Sequence, residues 1–142
     1  MEAEEDMNKE ADTLNKFLTA WKNEKWDDMA SLCQPSWLKV VKDPMERITA
    51  WFEFKELISF KIGKVEDITI KANTAMKKAR GTRLFKGICR VNAHIVYYIK
   101  NTDKRYSADI TANVVLEDDV LGVNPTSVLK EQRLTRLSEE KT

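Results

Sequence analysis

Two long segments of alternating hydrophobicity, Gly87–Lys100 and Tyr106–Glu117, constrain the fold of this chain most. In each segment apolar side chains occupy every second position, which is the period of a β-strand with one buried face. These positions are Cys89, Val91, Ala93, Ile95, Tyr97 and Ile99 in the first segment and Tyr106, Ala108, Ile110, Ala112, Val114 and Leu116 in the second. We therefore predict an antiparallel pair of strands with one buried face and one exposed face.

The short connection between the two segments predicts their register. A two-residue turn at residues 102–103 places Ile95 opposite Ile110 and His94 opposite Thr111. A slip by one residue would move every apolar side chain to the wrong face.

Three helices are predicted before the strands. The first carries an apolar stripe at steps of three and four residues, formed by Met7, Ala11, Leu14, Phe17, Leu18 and Trp21. A second, shorter helix is predicted over Trp26–Cys33 and ends before Pro35. The third begins at residues 43–46, where Asp-Pro-Met-Glu has the pattern of a capping box with proline at the first helical position.

After the third helix the period changes to two, which predicts a first strand from Ile58 onward. Its phase shifts at Gly63, and a glycine inside a strand often marks a bulge. The alternation then continues through Ile68, Ile70 and Met76 to a turn predicted at residues 79–82.

The remaining chain predicts one more strand. Residues Val120–Leu129, with Asn124-Pro125 inside them, are typical of a turn followed by a last strand. Chain ends that are not held by a core tend to fray, and we expect this near residues 1–5 and 138–142.

Length and composition are those of a globular protein. A chain of 142 residues suits one domain over residues 1–142, and a composition of 42% hydrophobic and 33% charged residues argues against disorder. No apolar run approaches the roughly 20 residues that a membrane-spanning helix needs. The acidic start, Met-Glu-Ala-Glu-Glu, is unlike a signal peptide. We expect a cytoplasmic protein, or an exported one whose export segment is missing from this sequence.

Charge is segregated although the formal net charge is only +1. No acidic residue lies between Asp67 and Asp103, whereas eight basic residues do: Lys71, Lys77, Lys78, Arg80, Arg83, Lys86, Arg90 and Lys100. A basic hairpin over residues 71–90 could dock an acidic partner. Alternatively, these side chains only protect a sheet edge from aggregation.

Motifs for a metal, a cofactor or a nucleophile are absent from the sequence. Cys33 and Cys89 form no zinc pattern. They can be free buried thiols or a structural pair. The single histidine excludes most multi-histidine metal sites. No glycine-rich phosphate loop or nucleophile elbow occurs, so no cofactor and no metal are predicted.

The order of elements resembles the nuclear transport factor 2-like superfamily, also called the cystatin-like α+β cone or SnoaL-like fold. Residues Phe17–Met29 are similar to the stretch that joins the first two helices in that family, and Val123–Leu129 is similar to its closing strand. The resemblance implies an α+β fold, with three N-terminal helices packed on a curved antiparallel sheet of about four strands. This fold carries isomerases, dehydratases and epoxide hydrolases as well as non-enzymatic adaptors, so it assigns no activity.

In that family the sheet curls around the helices and leaves a cavity on its concave face. Here the expected lining combines small and large side chains: Trp21, Trp51, Ala93, Tyr97, Tyr106, Ala108 and Ala112. Small residues opposite aromatic ones can leave space for a small apolar ligand. The four tryptophans can equally fill that space at normal core density.

Family-type catalysis requires an acid or base inside the cavity, and the predicted concave face offers tyrosines without a carboxylate. His94 and Asp109 fall on the opposite, outer face, so no catalytic residue is predicted. The outer face mixes polar, aromatic and β-branched residues, which is typical of a protein interface. Its candidate residues are Arg90, Asn92, His94, Tyr98, Asp109 and Thr111. The alternative is a plainly solvated face.

The sequence thus favours a non-catalytic binding or accessory module that acts through its outer sheet face or a small apolar cavity. We expect a homodimer, because relatives with this fold often pair through that face. A cavity enzyme of the isomerase or dehydratase type, and an adaptor that uses the basic segment 71–90, are the alternatives. Nucleic-acid binding is not expected, because Tyr97 and Tyr98 point to opposite faces and cannot stack together.

Overall fold

The computed structural model, which describes residues 2–79 and 85–137, contains an open antiparallel sheet and helices packed against it. Within those residues the helices are α1 (Glu2–Lys22), α2 (Trp26–Ser31), α3 (Pro35–Val40), α4 (Pro44–Phe52), α5 (Thr69–Ala79) and α6 (Pro125–Val128). The strands are β1 (Lys55–Asp67), β2 (Gly87–Ile99), β3 (Arg105–Glu117), β4 (Val120–Val123) and β5 (Glu131–Leu137). The α+β class is confirmed. Four helices, one more than predicted, precede the first strand, and the described sheet has five strands.

The sheet order is β1-β2-β3-β4. The strand β5 pairs with residues 105–110 of β3, and β4 pairs with residues 114–117 of the same strand. The two long strands are those predicted, but their register is shifted by two residues, with His94 opposite Asp109 and Ile95 opposite Ala108. The connection is longer than two residues, because the Ile99 N–H donates to the Lys104 carbonyl at 3.0 Å. A shift of two leaves each side chain on its predicted face.

The core lies between α1 and the inner face of the sheet. Leu14, Phe17, Leu18 and Trp21 of the predicted stripe are all at most 2% exposed. Burying each such side chain contributes about 1.5–3 kcal/mol. Trp21 also packs edge-on against Phe52 of α4, at 4.9 Å between ring centroids. The stripe therefore holds α1 on the sheet, and Trp21 links α1 to α4.

Two predicted details of the helices are wrong. The helix α4 begins at Pro44 as predicted, but Asp43 has a left-handed backbone (φ 53°) and its side chain accepts no capping hydrogen bond. The helix α2 ends at Ser31, and Pro35 begins a helix that was not predicted. Proline disfavours helix in the preceding residue but suits the first turn of the next helix.

The segment after β1 is a helix, so the predicted continuation of the strand through Ile68, Ile70 and Met76 is wrong. Asp67 Oδ1 accepts hydrogen bonds from the Thr69 backbone N–H and hydroxyl, at 2.9 and 2.6 Å, and this turn begins α5. The basic segment is therefore not a hairpin over its first part. The turn predicted at 79–82 begins at the last residue of α5, and its other residues lie outside those described.

The C-terminal strand is also placed differently. Only Val120–Val123 of the predicted last strand belongs to a strand, and Pro125–Val128 is the short helix α6. The Asn124 side chain caps it by accepting from the Thr126 backbone N–H. Glu131–Leu137 then forms β5, which was not predicted. Of the ends expected to fray, residues 2–5 lie in α1, and residues 1 and 138–142 lie outside the described residues.

Candidate functional site

An open groove of about 410 Å³ lies on the outer face of the sheet, opposite the helical layer. Four strands contribute to it: β1, β2, β3 and β5. Its lining residues are Lys61, Ile62, Gly63, Lys64, Asn92, Ala93, His94, Asp109, Ile110, Thr111, Gln132 and Arg133. We call this surface the outer-face groove.

Bulges in the two outermost strands of this region frame the groove. In β1 the register shifts between Ile62 and Val65, at the glycine where the sequence predicted a bulge. In the pairing of β3 with β5 the register shifts opposite Ser107–Asp109, and Arg133 of β5 has a left-handed backbone (φ 53°). A bulge bends its strand and increases the local twist. Both bulges flank the central pair, β2 and β3, whose register has no shift.

The helix α5 covers the other end of the outer face. Ile88 and Val115, which point outward from β2 and β3, form a small second core with Ile68, packed against Ala72 of α5 and Phe85. The outer face is therefore apolar and covered near Gly87, and polar and open around the groove.

Polar side chains on the groove floor are paired across the strands. His94 Nδ1 lies 2.8 Å from Asp109 Oδ1, and the Thr111 hydroxyl donates to Asn92 Oδ1 at 3.1 Å. Arg133 Nη1 lies 3.5 Å from the other oxygen of Asp109. The NH₂ group of Asn92 has no hydrogen-bond partner among the residues described. The floor therefore has an ordered set of donors and acceptors with capacity for a ligand.

Positive charge dominates the groove walls. Lys61 and Lys64 on β1 have no carboxylate within 4.0 Å in the described part of the chain, and both are exposed. The carboxylate of Asp109 is already engaged by His94 and Arg133. Two unpaired lysines and one arginine outnumber the single carboxylate of the groove, and this excess of positive charge favours an anionic ligand.

The arrangement suits binding better than catalysis. A carboxylate on Nδ1 of a histidine fixes the ring and leaves Nε2 to exchange a proton. However, the side chains of His94 and Asp109 are 54% and 35% exposed. Acid–base and electrostatic catalysis depend on a water-excluded site, where fixed dipoles act in a low dielectric. The open groove does not supply that condition.

The groove brings together four of the six interface candidates, namely Asn92, His94, Asp109 and Thr111. Arg90 and Tyr98 lie on the same strand and point to the same side, but at either end of β2 and outside the groove. The groove also includes four residues that were not predicted as site residues: Lys61, Lys64, Gln132 and Arg133. The first two could have been assigned from the alternation of β1, whereas the last two lie on the unpredicted β5.

The predicted cavity lining belongs to the core or packs against it. Trp21, Ala93, Tyr97, Ala108 and Ala112 are buried, and the half-buried Trp51 and Tyr106 pack on the same cluster. Trp51 also contacts Trp37, at 6.0 Å between ring centroids, and the guanidinium of Arg47. That these residues bind a ligand stays a prediction.

A carboxylate does lie on the inner side of the sheet, contrary to expectation. Glu131 of β5 accepts a hydrogen bond from the Tyr97 hydroxyl at 2.7 Å, and its second oxygen lies 2.6 Å from Lys55 Nζ. Burial, and then the bond to Glu131, raise the pKa of Tyr97. The side chains of Lys55 and Glu131 are only 13% and 12% exposed. We call these three residues the Tyr97–Glu131–Lys55 cluster.

The two cysteines are free and buried. Burial raises the pKa of the Cys33 thiol to about 12 and that of Cys89 to about 11, so both stay protonated at neutral pH. Among the described residues no three histidine, cysteine or acidic side chains converge as a metal site would require. The helices of residues 2–79 and 85–137 include none with the length and apolar character needed to span a membrane.

Comparisons with known proteins add no relative: the chain matches no protein-family model, no curated protein and no solved structure.

Proposed function

We propose that this protein is a non-catalytic binding module whose ligand surface is the outer face of its sheet. The observation that carries the proposal is the outer-face groove, which gathers an ordered polar floor and unpaired cations at one place. A groove of about 410 Å³ is within the range of small-molecule and peptide sites. We include in this proposal the cone-like arrangement of the nuclear transport factor 2-like superfamily, because relatives with that fold often dimerise through the same face.

A second candidate function is a cavity enzyme on the inner side. The Tyr97–Glu131–Lys55 cluster favours it, because a buried carboxylate beside a tyrosine is a usual acid–base pair. Against it, both oxygens of Glu131 are already engaged, one by the Tyr97 hydroxyl and one by the Lys55 ammonium. A substrate would have to displace one of these partners before Glu131 could accept a proton. The same cluster is explained more simply as the contact that fastens β5 to the sheet.

Amide-resolved NMR titration distinguishes these functions. The folded protein is titrated with separate pools of acidic, basic and neutral short peptides and of small metabolites. We expect shifts confined to residues 61–64, 92–94, 109–111 and 132–133. Shifts centred on Tyr97, Tyr106 and Glu131 would instead support the cavity enzyme, and shifts centred on α5 would support an adaptor that uses the basic segment 71–90.

A variant of the groove floor tests whether the NMR shifts report binding in the groove. Thr111→Trp places a bulky neutral side chain on the groove floor, while the backbone of a central strand and the buried face stay unchanged. We expect it to abolish the groove shifts and to leave the thermal midpoint nearly unchanged, because surface substitutions usually alter stability by less than about 0.5 kcal/mol. Unchanged shifts in this variant would contradict the proposal.

A further inference from the structure

We propose that the ligand of the outer-face groove is an extended acidic peptide segment of a partner protein, with two acidic side chains about four residues apart. This inference rests on the proposed function and names the chemistry of the ligand. It is carried by three observations: the position of the cations, the composition of the floor and the single carboxylate at its centre.

The cations lie on opposite sides of the groove. In the strand register, Lys61 lies opposite His94, His94 opposite Asp109, and Asp109 opposite Gln132. These four residues form one row across β1, β2, β3 and β5. Three strand spacings of about 4.8 Å separate the ends of this row by about 14 Å. Lys61 and Lys64 occupy one end, and Arg133 follows Gln132 at the other.

The distance between the two cationic sides selects the kind of anion. An extended peptide rises about 3.3 Å per residue, so side chains at positions i and i+4 are about 13 Å apart. Two carboxylates with that spacing can meet Lys61 or Lys64 and Arg133 at the same time. A single phosphate or carboxylate is shorter than this separation, so it meets both sides only where the side chains of Lys61 and Arg133 converge on it.

The floor between the cations suits a peptide backbone. The unpartnered NH₂ of Asn92 can donate to a peptide carbonyl, and the amide of Gln132 can both donate and accept. Asp109 at the centre of the row disfavours a continuous run of phosphates, because like charges repel each other in a partly exposed site. A peptide with neutral residues between its two acids places less negative charge beside Asp109 than a nucleic-acid strand does.

The test uses fluorescein-labelled peptides of twelve residues and the full chain, with binding followed by fluorescence anisotropy. One peptide carries two glutamates four residues apart in a Gly/Ser/Ala background, and a second carries them adjacent. A third has glutamine at both positions. We expect the spaced peptide to bind at least about threefold more tightly than the adjacent one, with affinity that falls as salt rises from about 0.05 to 0.5 M.

Matched variants assign the binding to the groove. Lys61→Gln with Lys64→Gln removes two charges from one side, and Arg133→Gln removes the charge from the other. Lys25→Gln with Lys104→Gln removes two exposed lysine charges outside the groove and is the control. We expect about tenfold weaker binding in the first double variant, a smaller loss in Arg133→Gln, and an unchanged affinity in the control.

Any of the following results would contradict the inference. Equal binding of the glutamine peptide, or an equal loss in the control variant, would show that groove charge does not select the ligand. Equal binding of the adjacent peptide would refute the two-sided contact. Tighter binding of a labelled single-stranded oligonucleotide, lost in the same variants, would replace the peptide with nucleic acid.

The proposed function can survive the failure of this inference. If none of the peptides binds while the NMR titration shows groove shifts with another pool, the outer face is a binding surface for different chemistry. If neither experiment perturbs the groove, both proposals are wrong.

Discussion

At the scale of single residues, the hydroxyl of Tyr97 is the contact with the clearest energetic consequence. It donates to Glu131 Oε1 at 2.7 Å, in a place where both side chains are largely buried. Tyr97→Phe keeps the ring and removes that donor, which leaves one carboxylate oxygen unsatisfied. We expect the free energy of unfolding to fall by about 2 kcal/mol, measured by urea denaturation.

A neighbouring tyrosine provides the control. Tyr106 packs against Tyr97 with tilted rings, at 5.9 Å between centroids, but its hydroxyl has no hydrogen-bond partner in the described residues. Tyr106→Phe should change stability by less than about 0.5 kcal/mol. Equal losses in the two variants would mean that the hydroxyl of Tyr97 contributes nothing specific.

The ionisation of Tyr97 makes the free energy of unfolding depend on pH in the alkaline range. Burial and the bond to Glu131 raise the pKa of Tyr97 above its usual value of 10.0, so the unfolded chain loses this proton first. The stability contributed by neutral Tyr97 is therefore fully present below about pH 10 and is lost as the pH rises toward the folded pKa. In urea titrations, the difference between the native protein and Tyr97→Phe should shrink above about pH 10. A constant difference up to about pH 11 would contradict this.

Alternation of side chains was enough to assign residues to faces, but it could not identify their partners. Asn92, His94, Asp109 and Thr111 were placed on the outer face, and the two-residue error in register left them there. Glu131 could not be assigned to the inner face, because its contact with Tyr97 joins positions 34 residues apart in sequence. Nothing local in the sequence signals that contact.

At the scale of elements, β4 is locked against the connection between α2 and α3. The Gln34 N–H donates to the Val123 carbonyl at 3.0 Å, and the Val123 N–H donates to the Leu32 carbonyl at 2.8 Å. A Cβ atom at Gly122 would lie 2.4 Å from Gln34 Cα and 2.7 Å from the Cys33 carbonyl carbon. These are backbone atoms, so no side chain can move aside to make room.

Gly122→Ala is therefore expected to destabilise the protein by about 3 kcal/mol, as judged from its thermal and urea midpoints. Gly63→Ala is the matched control, because its added Cβ would lie 3.6 Å from the Asn92 carbonyl oxygen, which is an ordinary contact. We expect that variant to stay within about 0.5 kcal/mol of the native protein. A tolerated Gly122→Ala would show that β4 can separate from the helices at little cost.

The elements that sequence analysis missed share a physical cause. The middle of β5 is exposed, and the strand carries polar residues on both faces. It therefore lacks the alternation that revealed β2 and β3. The start of α5 was interpreted as a strand because Ile68 and Ile70 are two residues apart. Ile68 is buried and Ile70 is 83% exposed, which is the outcome of a helix lying on the sheet. The cap made by Asp67 and Thr69 was the local signal that could have revealed it.

At the scale of the whole molecule, the distribution of charge opposes face-to-face pairing of two grooves. The homodimer expected from the sequence would place the outer face of one copy against that of another. If the two grooves meet on the two-fold axis, Lys61, Lys64 and Arg133 of each copy approach the same residues of its partner. Like charges across an interface weaken association, and added salt screens that repulsion.

Self-association and ligand binding should therefore respond to salt in opposite directions. By sedimentation velocity, we expect dimerisation through the groove to be weaker at about 0.05 M salt than at about 0.5 M, whereas binding of the spaced acidic peptide weakens over the same range. Lys61→Gln with Lys64→Gln should strengthen the dimer at low salt, because it removes four like charges from a two-fold interface. A dimer that dissociates as salt rises would show that the two copies meet through complementary charges, and the grooves would then lie away from the two-fold axis.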